Sequence, residues 1–161
     1  MRVPDNIEKN RFEFKQPKED CPYYNLEGYL DMDKLRNYCW EQLRSVDAIK
    51  ISRNEIELLE FSSFANLLNA KDDDIKRYVN TDLFHEYREK LFETLFLLVL
   101  LELVDLNCQS VKFKIAICPS NGREDAYAYD NLKRILKKEL KEKLQSLLKS
   151  GDKVIVFLTP L

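Results

Sequence analysis

A chain of 161 residues, 45% hydrophobic and 34% charged, can bury a single core and leaves little room for a second. This composition excludes a wholly disordered or collagen-like chain, and 3 glycines with 5 prolines argue against an all-β protein of many tight turns. A net charge of −2 gives no global basic signature of a nucleic-acid coat, while a local basic face stays open.

Residues 1–5 contain no apolar segment of the kind that begins a secretory signal, so none is expected. Residues 1–30 read as an arm that packs on the domain. Pro4, Pro17 and Pro22 interrupt it, Phe12 and Phe14 alternate with charge as in a short strand, and Tyr23, Tyr24 and Tyr29 suit packing anchors. Residues 31–161 read as a single α/β domain. The four cysteines, Cys21, Cys39, Cys108 and Cys118, form no CxxC pair and are accompanied only by His85, which disfavours a zinc site. They read as reduced thiols that mostly fill the core, consistent with an expected cytoplasmic location.

Asp31 to Arg44 reads as a helix with Asp31 and Asp33 at its start and Met32, Leu35, Cys39 and Leu43 on its buried stripe. Segments 46–52 and 55–62 favour strands, joined by Arg53-Asn54 as a two-residue turn. Residues 72–106 are helical in pattern, with an expected break near Asn80-Thr81-Asp82. Leu91, Leu95 and Leu98 lie on one line, with Phe92, Phe96 and Val99 beside it, so burial on most sides is expected. The apolar run from Leu95 to Leu101 is far shorter than the roughly 20 residues of a membrane span, and no membrane association is expected.

Val111 to Cys118 is a strand, with turn signals at Pro119 and Asn121-Gly122. Glu124 to Lys149 is an amphipathic helix with Tyr129, Leu132, Leu136, Leu140, Leu144 and Leu147 inward and Gly151 as its C-terminal cap. Its lysines and Arg134 interleave with Glu139 and Glu142 and suit a solvated face. Lys153 to Leu158 reads as a final, central strand. The fold class is therefore α/β (α+β), a mixed sheet flanked by helices in the order helix, hairpin, long helix, strand, helix, strand.

The hairpin carries one sharp constellation. If Arg53-Asn54 are the turn, Ile51 faces Ile56, Ile49 faces Leu58 and Asp47 faces Glu60, all on one face, while Lys50 and Glu57 oppose each other on the other. Two directly opposed carboxylates destabilise a sheet unless a divalent cation, a raised pKa or a nearby Arg or Lys offsets them. Hard oxygen ligands on strands suit Mg²⁺ or Mn²⁺. A one-residue change in loop length would put the two carboxylates on opposite faces.

The segment from Val46 to Ser62 resembles the active-site hairpin of the PD-(D/E)xK nuclease superfamily. Asp47 matches the first carboxylate of its motif and Glu60 the second. The motif lysine falls at Ser62. The resemblance implies a restriction-endonuclease-like core over residues 31–118, with Asp47 and Glu60 as metal ligands and DNA or RNA as substrate. It also implies a site impaired by the missing charge at Ser62, since a hydroxyl cannot supply it. Lys50, Lys71, Arg88 and Lys90 are the cations considered as replacements. Lys50 falls on the wrong face, and Arg88 and Lys90 reach the site if their helix crosses the hairpin. Glu41 matches an extra acidic residue of some members but lies off the apolar stripe. The other class of function is a non-catalytic module on the same fold, binding protein or nucleic acid. The apolar helix and aromatic arm would then serve a homo-oligomer or larger assembly.

Overall fold

The computed structural model describes residues 9–19, 21–119 and 126–159. Over these residues the chain is mixed α and β, with five strands in one mixed sheet flanked by helices. The elements in chain order are α1 (Lys9–Phe12), β1 (Leu30–Asp31), α2 (Met32–Cys39), β2 (Ala48–Ile51), β3 (Glu55–Ser62), α3 (Asp72–Tyr78), α4 (Phe84–Leu100), β4 (Ser110–Ile117), α5 (Ala126–Ile135), α6 (Glu142–Gln145) and β5 (Lys153–Leu158). The sheet order follows the chain, from β1 at one edge to β5 at the other.

Local chemistry sets the first half. Asp31 caps α2 by accepting a hydrogen bond from the Lys34 N–H at 3.3 Å, which satisfies one of the helix's free donors. The Ser52 N–H donates to the Glu55 carbonyl at 2.9 Å and closes the hairpin over Arg53 and Asn54. This two-residue loop fixes the register: Ile51 pairs with Ile56, Lys50 with Glu57, Ile49 with Leu58 and Ala48 with Leu59. β1 and β2 are antiparallel neighbours, as are β2 and β3. β3, β4 and β5 run parallel, so each of the last two connections needs a crossover, supplied by α3–α4 and by α5–α6.

Strand alternation divides the core. Ile49, Ile56, Leu58, Phe113 and Ile115 face the helices, with Leu91 and Leu98 of α4 and Leu132 and Leu136 of the α5 side. Ala48, Leu59, Phe61 and Ala116 face the other way, against Cys21, Leu26 and Tyr29 of the arm. The arm thus does for this face what helices do for the first.

The hairpin register stands as read from the sequence, though β2 is confined to Ala48–Ile51. The helical break also falls where Asn80-Thr81-Asp82 indicated: Val79–Leu83 forms a wide π-type turn between α3 and α4, and Leu136–Lys141 does the same between α5 and α6. Several expectations are corrected. Phe12 ends a helical turn rather than a strand, and only Glu13 bridges to Leu30. α2 stops at Cys39 and α4 at Leu100, just before Glu102 takes a left-handed φ of 57°. α4 is buried on one side only: Leu91, Leu95 and Leu98 are inside, whereas Phe92, Phe96 and Val99 are exposed because no described element covers that side. Tyr23 and Leu147 are exposed too.

Gly151 adopts φ 94°, but in the turn before β5, since α6 ends at Gln145. β5 is an edge strand: an apolar run beside β4 is central only if a further strand follows it. Cys21 and Cys118 are joined by a disulfide with Cα atoms 5.5 Å apart, correcting the expectation of four reduced thiols. Packing of the arm against the end of β4 brings them together, which linear spacing cannot show. Cys39 stays free and buried, and Cys108 free and exposed. Among the described residues no helix is long and apolar enough to cross a membrane. Asn121-Gly122 lie outside the described residues.

Candidate active site

Asp47 immediately precedes β2, and continuing the register by one pair sets it opposite Glu60 of β3. Its carbonyl accepts from the Met32 N–H at 3.1 Å, fixing the backbone beside the start of α2. Its side chain reaches across the hairpin: Oδ2 accepts from the Phe61 N–H at 2.8 Å. Oδ1 accepts from the Lys18 Nζ at 2.9 Å. Glu60 is 2% exposed and sits over α4. Its Oε2 accepts from the Lys90 ammonium, and its Oε1 is buried without a hydrogen-bond partner among the described residues.

The opposed carboxylates are therefore each met by a lysine from a different element. Lys90 comes from the middle of α4, where Glu86 one turn earlier lies 3.5 Å from its Nζ and the Tyr87 ring lies beneath it. Lys18 comes from the arm and also lies 3.8 Å from Asp33 of α2. Burial and then the Asp47 charge push the Glu60 carboxyl well above the usual range. Burial works to raise Asp47 as well, but the adjoining Glu60 carboxyl, the Phe61 N–H and Lys18 outweigh it and hold Asp47 low. Burial would lower both lysines, yet their carboxylate partners hold them above the ordinary ammonium value. Two like groups forced together thus split their affinities, one ionised readily and one reluctant to ionise.

Of the remaining residues singled out in the sequence, none joins this cluster. Ser62 Oγ accepts from the Phe64 N–H at 3.1 Å and caps a tight turn in which Phe64 has a left-handed φ of 49°. Arg88 points elsewhere along α4, with its Nη2 2.8 Å from His85 Nδ1 and its guanidinium over the Phe84 ring. Lys50 pairs with Glu57 on the opposite face and lies over the Tyr29 ring. Lys71 and Glu41 are exposed. The residue that sequence reasoning missed is Lys18. It lies 29 positions before Asp47 in an irregular segment, so no periodicity marks it.

A groove of about 440 Å³ opens beside Lys18, lined by Phe14, Lys15, Asp31 and Lys34 among others. Among the described residues no three His, Cys, Asp or Glu side chains converge as a ready-made metal cage. The donor set still fits Mg²⁺ or Mn²⁺, because Mg²⁺ is commonly held by one or two carboxylates with water and phosphate completing its shell. The unpartnered Glu60 Oε1 is a buried acceptor of the required kind. No family model matches this sequence, and no curated protein and no solved structure matches the chain.

Proposed function

We propose that the chain is a divalent-metal-dependent nuclease of the PD-(D/E)xK type, on a restriction-endonuclease-like core, in which Lys90 replaces the motif lysine. The observation that carries this reading is the ion pair between Lys90 and the buried Glu60. It supplies from α4 the positive charge that Ser62 lacks.

Asp47 and Glu60 are the side chains that would hold Mg²⁺ or Mn²⁺. When bound, such an ion polarises a phosphodiester oxygen and makes its water a stronger nucleophile. The Phe61 N–H orients the Asp47 carboxylate, and Lys90 orients Glu60. The Lys90 ammonium is also placed to stabilise negative charge developing on phosphate next to Glu60. Lys15 and Lys34 line the open groove and suit contacts to a nucleic-acid backbone.

The non-catalytic alternative draws on a separate observation, the exposed Phe92, Phe96 and Val99 on α4. Cleavage assays separate the two readings. Purified chain is incubated with labelled single- and double-stranded DNA and RNA, with Mg²⁺, Mn²⁺ or chelator. The nuclease reading expects metal-dependent cleavage that is abolished in Asp47→Asn and in Glu60→Gln. A folded chain that cuts nothing with either metal rejects it in favour of the binding module.

A further inference from the structure

We propose that the N-terminal arm is a redox-released lock on the carboxylate pair: Lys18 holds the cation position of Asp47 while the Cys21–Cys118 disulfide is closed, and opening the disulfide frees that position for a divalent cation. This inference rests on the metal-site reading above.

Four contacts form a closed path around the site. Lys18 Nζ lies 2.9 Å from Asp47 Oδ1. The Lys18 carbonyl accepts from the Cys21 N–H at 3.0 Å, so the lysine and the cysteine share one turn. Cys21 is bonded to Cys118. The Cys118 N–H donates to the Ser62 carbonyl at 2.8 Å, two residues along β3 from Glu60. The disulfide therefore ties the turn that carries Lys18 to the strand that carries Glu60.

An ammonium and a divalent cation cannot share Asp47 Oδ1: both need its lone pairs, and at such separations they repel each other. With the disulfide closed, Lys18 competes as an intramolecular ligand at high effective concentration. With it open, the segment is held more loosely. Lys15, Gln16 and Pro17 are exposed, while Phe12, Leu26 and Tyr29 on either side stay buried as anchors. The segment around Lys18 can then move without loss of the sheet.

The opening step is thiol–disulfide exchange with a dithiol. A dithiol thiolate attacks one sulfur of the Cys21–Cys118 bond, forms a mixed disulfide and closes on itself, releasing the second cysteine. The protein gains two electrons and two protons as two thiols, and the dithiol becomes a disulfide. Cys21 and Cys118 are 3% and 2% exposed, so exchange requires the arm to lift first.

The test is calorimetric titration of Mn²⁺ into the full chain in three forms: oxidised, dithiothreitol-reduced, and Lys18→Gln in each redox state. Alkylation under denaturing conditions verifies the thiol count. Reduced wild type should bind Mn²⁺ about tenfold tighter than oxidised wild type, a difference of ~1.4 kcal/mol. Lys18→Gln should match reduced wild type and show no redox dependence. Hydrogen exchange should also quicken over residues 15–19 on reduction, with or without metal.

Equal Mn²⁺ affinity in all forms overturns the lock and leaves the metal site standing. A Lys18→Gln protein that still responds to reduction overturns the role of Lys18. Failure of every form to bind Mn²⁺ overturns the lock and the metal-site reading together. Lys18→Gln leaves the disulfide intact, so the test does not depend on a cysteine variant folding.

Discussion

Lys90 and Glu60 lie 30 residues apart in sequence and form one ion pair at the edge of the helix-facing core. Glu60 is 2% exposed, whereas the Lys90 side chain is 23% exposed and opens toward solvent. The pair thus has an inner member that depends on its outer one. Lys90→Ala should destabilise the protein by about 3 kcal/mol, because removing one partner strands the other in a desolvated site. Adding Glu60→Gln should restore much of that loss. Urea unfolding of the four proteins in the double-mutant cycle checks this, and strictly additive losses would deny the coupling.

The position vacated by the motif lysine gives a second prediction. Ser62 already caps the Phe64 turn, so Ser62→Lys removes a hydrogen bond there. Alone it should cost about 1 kcal/mol and bring little gain in cleavage. In the Lys90→Ala background the same change should recover activity, since it returns a cation next to Glu60. Cleavage rates of the two single variants and the double variant decide it.

Protonation at the pair should be visible in stability. Glu60 binds its proton more tightly in the folded chain than in the unfolded one, through burial and the Asp47 charge. Its contribution is therefore full below the ordinary carboxyl value and falls as pH rises toward its folded value. Asp47 has the opposite sign: its contribution is full above its ordinary value of 3.8 and is lost as pH falls through the lower folded value. Between about pH 5 and pH 8, Glu60→Gln should gain stability relative to wild type, read as a rising difference in denaturation midpoint. Metal affinity should climb over the same window, because the ion competes with the Glu60 proton.

The two sides of α4 give a fourth prediction. Leu91 and Leu98 are fully buried, while Phe96 is 49% exposed. Leu98→Ala should cost about 2–5 kcal/mol, and Phe96→Ala under about 1 kcal/mol, despite the larger side chain. Thermal unfolding of the two variants in parallel measures the contrast.

The hairpin was legible in the sequence because short-range rules determine it. A two-residue turn and period-2 alternation place Ile49, Leu58 and the carboxylates before any tertiary contact is known. The π-type turn at Val79–Leu83 was legible for a similar reason, through the polar Asn80-Thr81-Asp82 run within an apolar pattern. Lys90 could be named only as one cation among several, since the crossing of α4 over the hairpin selects it over Arg88 and periodicity does not. Lys18 and the Cys21–Cys118 bond were not legible. Both depend on how an irregular arm folds back on the sheet, and residues 97 positions apart leave no local trace of their pairing. The edge position of β5 was missed because an apolar strand covered on both faces reads the same at the edge or at the centre.

The central claim is that Asp47 and Glu60 hold a divalent cation beside Lys90. Crystals of the reduced chain grown with Mn²⁺ and measured at the manganese absorption edge test it most directly. The account predicts an anomalous peak between the Asp47 and Glu60 carboxylates, with the Lys18 ammonium withdrawn from Asp47 and Lys90 still on Glu60. Density showing both lysines in place and no manganese at the pair would contradict it.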